Sequence, residues 1–91
     1  MIREGRHPCP CCDYFVHDRR GHHDVCPVCY WEDDGTDLGE LDAVSRANHI
    51  SLREARQNFA SIGASDQAAV SLVAPQGELA GLRRERRAPQ G

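Results

Sequence analysis

Two Cys-x2-Cys pairs, one capped amphipathic segment and a shortage of large apolar side chains together predict a small α+β domain that needs a metal ion to fold. The chain has 91 residues, enough for one small domain with flanking tails. Leu, Ile, Val and Phe make up about a fifth of it. A core of this size rarely supplies more than about 3–5 kcal/mol, so a metal ion or a cross-link is expected to supply the rest.

The charge and the first residues exclude several classes of protein. The formal net charge of −3 argues against non-specific nucleic-acid binding as the main task, because that task needs a basic surface. The first seven residues are charged and contain no apolar stretch, so no secretory signal is expected. No apolar run approaches the roughly 18 residues of a membrane span. We therefore expect a cytoplasmic protein that does not bind a membrane, in a compartment where cysteines stay reduced.

The composition divides the chain into three zones. Residues 1–8 form a polar lead-in. Residues 9–63 hold all five cysteines, both Phe, both Tyr and the single Trp, and are predicted to form a zinc-ribbon-like domain. Residues 64–91 are rich in Ala, Ser, Gln, Pro and Gly. They are expected to contain a short helix at 66–74, followed by a disordered basic tail from about residue 76.

The metal ion is predicted to lie between the two cysteine pairs. The pairs are Cys9-x2-Cys12 and Cys26-x2-Cys29, separated by 13 residues. Each pair points two sulfurs at one centre, and four sulfurs complete the tetrahedron that a structural zinc ion prefers. We expect one Zn²⁺ per chain, although iron can be ligated by the same four sulfurs. Structural zinc contributes roughly 10–16 kcal/mol in finger peptides, more than this core could supply.

The fifth cysteine adjoins the first pair. Cys11 could replace Cys12 as a ligand, but only Cys12 repeats the spacing of the second pair. Cys11 is then a spare thiol, either a packed side chain or a redox thiol that senses oxidants or donates the metal. Histidines also lie nearby in the sequence, and with four thiolates present they are expected to occupy turns and the surface: His7, His17, His22 and His23.

The segment between the cysteine pairs is predicted to form a short hairpin. Residues 14–17 are rich in β-forming side chains, and residues 18–21 have turn chemistry that ends in glycine. Residues 22–25 would return as the second strand. Because two-stranded hairpins are marginally stable alone, this one is expected to depend on the metal ion.

Residues 51–62 carry the clearest helix pattern. Ser51 and Glu54 form a capping box, and Gly63 suits the left-handed position that ends a helix. The apolar stripe of this helix is expected to cover the hairpin, and it comprises Leu52, Ala55, Phe59 and Ile62. A weaker helix over 38–47 could begin after Asp37, although Gly39 within it is unfavourable.

The acidic stretch after the second cysteine pair has no catalytic pattern. Its carboxylates do not match a calcium loop, and nothing nearby supplies a nucleophile or a pocket, so we expect no enzyme activity. Either it is a solvated turn or it is a surface that binds a partner protein. The partner-binding surface would comprise Trp31, Glu32, Asp33 and Asp34, with Trp31 as its anchor if exposed or as a cover for the metal site if buried.

Three blocks of the sequence resemble the bacterial CPCC family of small cysteine-rich proteins. The blocks read CPCC from Cys9, CPVCYWEDDG from Cys26 and NHISLREARQNF from Asn48. They occur in the order typical of the family, and the resemblance covers about residues 8–75. It implies a zinc-binding domain with the four paired cysteines as ligands, and it implies no particular activity.

Two residues depart from the usual pattern of zinc knuckles. Asp13 and Tyr30 stand after the cysteine pairs, where such loops usually carry glycine. Asp tolerates a left-handed backbone fairly well, whereas Tyr does so less readily. We therefore expect the second loop to be distorted but not lost.

Three functional hypotheses follow from these patterns. The leading one is a non-enzymatic module in which zinc holds the fold and a surface binds another protein. The second is a nucleic-acid-binding zinc ribbon, by analogy of fold, with a surface that contains Arg19, Arg20, Arg53, Arg56 and the arginine-rich residues 83–87. The third is oxidant sensing or metal donation through Cys11.

Overall fold

A computed structural model describes residues 2–85, in which the regular elements are short. Two strands, β1 (His7–Pro8) and β2 (Phe15–His17), form an antiparallel sheet, and one α-helix, α1, spans Leu52–Ile62. Short 3₁₀ helices span Leu38–Glu40, Gln67–Leu72 and Gln76–Leu79. The described chain is therefore a small α+β domain.

The hairpin pairs differently from the sequence prediction. Strand β2 lies in the predicted first arm, but its partner is β1, which precedes the first cysteine pair and places His7 opposite His17. The predicted second arm, residues 22–25, pairs instead with residues 32–33, through a bridge between Val25 and Glu32 and two backbone hydrogen bonds with Asp33. The predicted pairing is wrong because strand partners depend on tertiary contacts, which local β propensity does not encode.

The end of the described chain adds to β2 at its other edge. Tyr14 and Arg84 form an antiparallel bridge, flanked by backbone hydrogen bonds of 2.9 and 2.7 Å. The expectation of a disordered tail is therefore wrong for residues 76–85, because Gln76–Leu79 form a 3₁₀ helix with Leu79 buried and residues 83–85 cover an edge that would otherwise be open. Residues 86–91, which hold the rest of the predicted basic tail, lie outside the described residues.

Helix α1 has the predicted boundaries. The Ser51 hydroxyl accepts a hydrogen bond from the Glu54 backbone N–H at 3.1 Å, and Gly63 ends the helix with φ 78°. Both devices are local, so the sequence pattern was sufficient to predict them. The apolar stripe is narrower than predicted, since Leu52 is fully buried but Ile62 is 43% exposed.

The two weaker helices are 3₁₀ turns. Asp37 caps the first as predicted, but that helix ends at Glu40 and the rest of 38–47 is irregular. Gly39 disfavours a longer α-helix here, and a short segment can form the tighter 3₁₀ turn instead. Asp66 caps the second, which spans Gln67–Leu72. Within residues 2–85, no helix has both the length and the apolar character needed to cross a membrane.

The core surrounds the cysteines. Trp31 and Leu52 are its largest fully buried side chains, and both belong to one cluster with the cysteine side chains. Few large apolar residues are available in this sequence, so the sulfur atoms themselves form much of the interior. The stability of the domain therefore depends on how these sulfurs are held together.

Candidate metal centre

The first cysteine pair lies in a tight loop that two backbone hydrogen bonds close. Cys9 N donates to Tyr14 O at 2.9 Å, and Asp13 N donates to Cys9 O at 2.8 Å. Asp13 reverses the chain with a left-handed φ of 68°. We call residues 9–13 the first knuckle. Pro10 restricts the backbone that enters the turn, which favours this loop before any metal binds.

The second knuckle, residues 26–30, repeats this backbone. Cys26 N donates to Trp31 O at 2.9 Å, and Tyr30 N donates to Cys26 O at 2.8 Å. Tyr30 has φ 73°, close to the value of Asp13. The expected distortion is therefore wrong. Tyr30 adopts the left-handed conformation at a steric cost of about 1–2 kcal/mol, which the surrounding interactions offset.

The two knuckles bring four sulfur atoms together. All four residues are 0% exposed, and their Sγ atoms lie within 4.8 Å of one another: Cys9, Cys12, Cys26 and Cys29. The Sγ atoms of Cys9 and Cys29 are 3.6 Å apart, and those of Cys12 and Cys26 are 3.7 Å apart. A tetrahedral zinc ion with Zn–S bonds of about 2.3 Å needs sulfur–sulfur distances of about 3.8 Å. The cluster therefore fits a tetrahedral metal ion.

Backbone N–H groups support the sulfurs of the second knuckle. Val28 N donates to Cys26 Sγ at 3.3 Å, and Trp31 N donates to Cys29 Sγ at 3.5 Å. Such bonds favour the thiolate form, because they place positive ends of dipoles at the sulfur. The loop is thus arranged to stabilise the charge that a metal ligand must carry.

Burial and proximity set the ionisation of the cluster. Burial raises the pKa of Cys12 and of Cys29 well above the usual value, because a buried thiolate loses its hydration. Burial also acts to raise the pKa of Cys9, but hydrogen bonds with the other three thiols outweigh it and hold this pKa well below its usual value. A divalent cation would favour the thiolate form of these cysteines, because metal ligands bind deprotonated.

Helix α1 is tied to the first knuckle by Arg56. Its guanidinium donates to Pro10 O at 2.6 Å and to the two carboxylate oxygens of Asp13 at 2.9 Å each. The hydrogen bond with Asp13 is the main cause that raises the pKa of Arg56. The arrangement explains why an aspartate suits the left-handed position: its carboxylate reaches the helix.

A known protein family matches the part of the chain that contains both knuckles, the acidic segment and helix α1. The sequence matches the family described as Cysteine-rich CPCC over residues 7–78. The chain belongs to this family. The matched region starts at β1 and extends into the 3₁₀ helix Gln76–Leu79. No curated protein and no solved structure matches the chain.

The knuckle backbone of this CPCC protein occurs a third time, without cysteines. Ser45 N donates to Ile50 O at 3.0 Å, His49 N donates to Ser45 O at 2.7 Å, and His49 has φ 65°. Ser45 and Asn48 occupy the two positions that the cysteines hold in the knuckles. We call residues 45–49 the third loop. The sequence pattern does not predict this loop, because Ser-x2-Asn carries no metal-ligand signature.

Asn48 docks the third loop against the segment that follows the second knuckle. Its side-chain carbonyl accepts from Glu32 N, and its amide donates to Glu32 O, both at 2.9 Å. The Ser45 hydroxyl donates to the Asp34 carboxylate at 2.7 Å. The Asn48 amide therefore pairs with the backbone as a neighbouring strand would, and the loop becomes part of the domain.

The predicted partner-binding surface is not an exposed face. Trp31 and Asp33 are fully buried. Asp33 accepts two hydrogen bonds from Arg20, at 2.9 and 3.2 Å, and one from Gly21 N at 2.8 Å. Trp31 packs in the cysteine cluster, as the alternative interpretation predicted. The prediction is therefore wrong for Trp31 and Asp33, which lie in the interior, whereas Glu32 and Asp34 are partly exposed.

Cys11 does not join the four-sulfur cluster, and it is buried. A hydrogen bond with Cys29 favours its thiolate. Burial and the nearby negative charge of Cys9 and Cys26 outweigh that bond and raise the pKa of Cys11. A buried thiol with a raised pKa is a poor nucleophile. The environment of Cys11 therefore favours a packed side chain over the redox thiol that was considered.

His17 is buried, so the prediction that it lies in a turn or on the surface is wrong. It ends β2, and its proximity to the Cys9 thiol is the main cause that raises the pKa of His17. Its Nε2 atom is buried without a hydrogen-bond partner among the residues described. The alternation of a short strand could not reveal this, because burial here follows from the position of the first knuckle.

The arginines of the predicted nucleic-acid surface are paired with carboxylates. The pairs are Arg19 with Asp24, Arg20 with Asp33, Arg53 with Asp42 and Arg56 with Asp13. In the described part of the tail, Arg83 lies 3.8 Å from the centre of the Phe15 ring, and Arg84 donates to Cys12 O. These contacts leave little unpaired positive charge for phosphate groups at these positions.

Proposed function

We propose that this CPCC protein is a small non-enzymatic module, folded around one structural zinc ion, that binds another protein. The observation that carries the proposal is the geometry of Cys9, Cys12, Cys26 and Cys29, whose sulfurs have the spacing of a tetrahedral site. Iron in the same four thiolates is the competing metal. Zinc is favoured here because small domains with two Cys-x2-Cys pairs most often use it for stability.

A closed ligand set supports a structural role for the metal. Catalytic zinc sites keep one position open for water or substrate, whereas structural sites use four protein ligands. All four cysteines are fully buried here, and four thiolates at this spacing complete a tetrahedral ligand set. The proposal of a module without catalytic activity rests on this closure.

The paired arginines support protein binding over nucleic-acid binding. Arg19, Arg20, Arg53 and Arg56 each pair with a carboxylate, and the chain carries a net charge of −3. A nucleic-acid-binding domain would need several free cations on one face. Reduced cysteines are also compatible with the cytoplasm as the compartment.

Native mass spectrometry tests the metal directly. Protein purified without added metal is expected to carry the mass of one zinc ion, and that mass should disappear on denaturation. Visible absorption of the same sample distinguishes iron, because four-thiolate iron is coloured and zinc is not. A metal-free folded protein, or a mass deficit from disulfides, would overturn the proposal.

A further inference from the structure

A surface groove of about 230 Å³ lies beside the second knuckle, between the third loop and the 3₁₀ helix Gln67–Leu72. Ile50 and Ala69 line it from the domain interior, and Tyr30 and Leu72 line it from the surface. Its volume is sufficient for one aliphatic or aromatic side chain of a partner. None of the metal ligands lines it, so it is distinct from the metal centre.

The groove exposes apolar side chains to solvent. Leu72 is 58% exposed, Val25 is 45% exposed and Tyr30 is 42% exposed, and all three line the same groove. Single exposed apolar residues are normal on a protein surface, whereas a cluster around a concavity is typical of a binding site. This domain has few large apolar residues, and it leaves three of them at one groove.

The backbone conformation and exposure of Tyr30 are a second observation that favours a binding site at this groove. Tyr30 holds a left-handed φ of 73°, which a tyrosine adopts only with strain, and its ring still leaves much of its surface in solvent. At the equivalent position of the first knuckle, the left-handed backbone of Asp13 has a structural role, because it places the carboxylate in contact with Arg56. A strained aromatic side chain at a groove is better explained by contact with a partner, for which tyrosine is favoured.

The rim of the groove is acidic. Glu32 and Asp66 both line it, and none of its described lining residues is basic. Glu32 contacts His23 Nδ1 at 2.7 Å, and Asp66 accepts a hydrogen bond from Ala68 N, so both carboxylates are held at the rim. A partner that places a cation beside an apolar side chain would complement this rim.

We infer that the groove between the second knuckle and Gln67–Leu72 binds a peptide segment in which an aliphatic or aromatic side chain lies next to an arginine or lysine. The apolar side chain would enter the groove beside Tyr30, and the cation would meet Glu32 and Asp66. This inference rests on the proposed protein-binding function and gives it a surface, in place of the buried Trp31 region. It concerns the partner and is independent of which metal the cysteines hold.

An array of capped hexapeptides tests the inference. One set carries Leu, Ile, Phe or Trp next to Arg, a second replaces Arg by Glu, and a third replaces the apolar residue by Gly. Fluorescently labelled, metal-loaded protein is expected to bind the best peptide of the first set at least about fivefold more tightly than its matched controls, the factor for roughly 1 kcal/mol. Amide NMR shifts with that peptide should concentrate at Tyr30 and Ala69.

Variants locate the binding site. Tyr30→Gly removes the ring without adding backbone strain and is expected to abolish the preference for the first set. Val44→Ser is the matched control, because Val44 is 68% exposed and does not line the groove. The double variant Glu32→Gln/Asp66→Asn is expected to reduce the preference for Arg over Glu to less than about twofold, while Asn keeps the helix cap.

Several results would overturn the inference. They are equal binding of all three peptide sets, a preference that Tyr30→Gly leaves unchanged, and a wild-type dimer in light scattering that Leu72→Gln dissociates. The last would mean that a second copy covers the groove. The metal content of every sample is measured by native mass spectrometry. Loss of metal contradicts the proposed function. Metal-loaded protein that shows no preference among the peptide sets contradicts only this inference.

Discussion

Arg56 on helix α1 holds Asp13, the left-handed residue of the first knuckle, through two N–H···O bonds of 2.9 Å. The same guanidinium donates to Pro10 O at 2.6 Å. One side chain therefore fixes both ends of the loop that carries two of the four sulfurs. Because the pair is largely buried, it joins the helix to the metal centre more strongly than a surface ion pair would.

Arg56→Lys is expected to destabilise the metal-loaded protein by about 2 kcal/mol, since lysine cannot make the two parallel bonds to Asp13. Urea unfolding followed by circular dichroism measures the change. Arg53→Lys is the matched control on the same helix and should lose much less stability, because Arg53 pairs with the exposed Asp42. Equal losses in the two variants would contradict the role given to Arg56.

Removing the Tyr30 ring in two ways isolates the backbone strain of the second knuckle. Tyr30→Gly and Tyr30→Ala lose the same ring, but only glycine adopts φ 73° without strain. We expect the glycine variant to be more stable than the alanine variant by about 1 kcal/mol in urea unfolding. If alanine were the more stable of the two, the left-handed conformation of residue 30 would be refuted.

Asp33→Asn is expected to cost about 3 kcal/mol at neutral pH, because it breaks a buried ion pair with Arg20. Asp24→Asn, in an exposed pair with Arg19, is the control and should cost much less stability than Asp33→Asn. Chemical unfolding of both metal-loaded variants beside wild type gives the comparison.

The cost of Asp33→Asn should also depend on pH. Burial acts to raise the pKa of Asp33, but Arg20 and Gly21 N outweigh it and lower this pKa in the folded protein. The carboxylate therefore stabilises the fold above its unfolded pKa of about 3.9, and that stabilisation is lost as the pH falls through the folded pKa. The difference between wild type and variant should shrink below about pH 4. The cadmium-loaded form suits this measurement, because a soft ion binds thiolates more tightly. A stability difference between wild type and Asp33→Asn that grows as the pH falls would contradict the lowered pKa of Asp33.

Gly5→Ala tests the close approach between the lead-in and β2. A Cβ atom at Gly5 would lie 2.7 Å from backbone atoms of His17, which cannot move without disturbing the sheet. We expect a loss of about 1–3 kcal/mol in thermal or urea unfolding. At Gly39 an added Cβ meets nothing within 4 Å, so Gly39→Ala should be neutral or slightly stabilising. Similar effects at both glycines would count against the packing of residue 5.

The five cysteines should divide into four ligands and one packed thiol. Cys12→Ser is expected to lose the metal and, with it, most of the secondary structure in circular dichroism, because metal binding supplies folding energy. Cys11→Ser should keep one metal ion per chain and lose no more than about 2 kcal/mol of stability. Native mass spectrometry of both variants provides the measurement. Metal loss in Cys11→Ser together with retention in Cys12→Ser would exchange the two assignments.

The features that local chemistry specifies could be predicted from the sequence. The two Cys-x2-Cys pairs carry their own turn-forming prolines, so the four-sulfur cluster follows from spacing. Helix α1 carries its caps at Ser51 and Gly63. In each case residues within one turn of each other satisfy the same backbone groups, and a linear pattern is enough to recognise them.

The features that long-range contacts specify could not be predicted in this way. The partner of β2, the burial of Asp33 against Arg20 and the order of residues 76–85 all depend on segments distant in sequence. The third loop repeats the knuckle backbone with Ser45 and Asn48, whose hydrogen-bonding role appears only beside Glu32. The sequence by itself determined the four clustered cysteines and the main helix, because short-range hydrogen bonds and spacing define both. Only the tertiary structure decided which polar groups are buried and which apolar side chains line a groove, because burial depends on every segment that packs nearby.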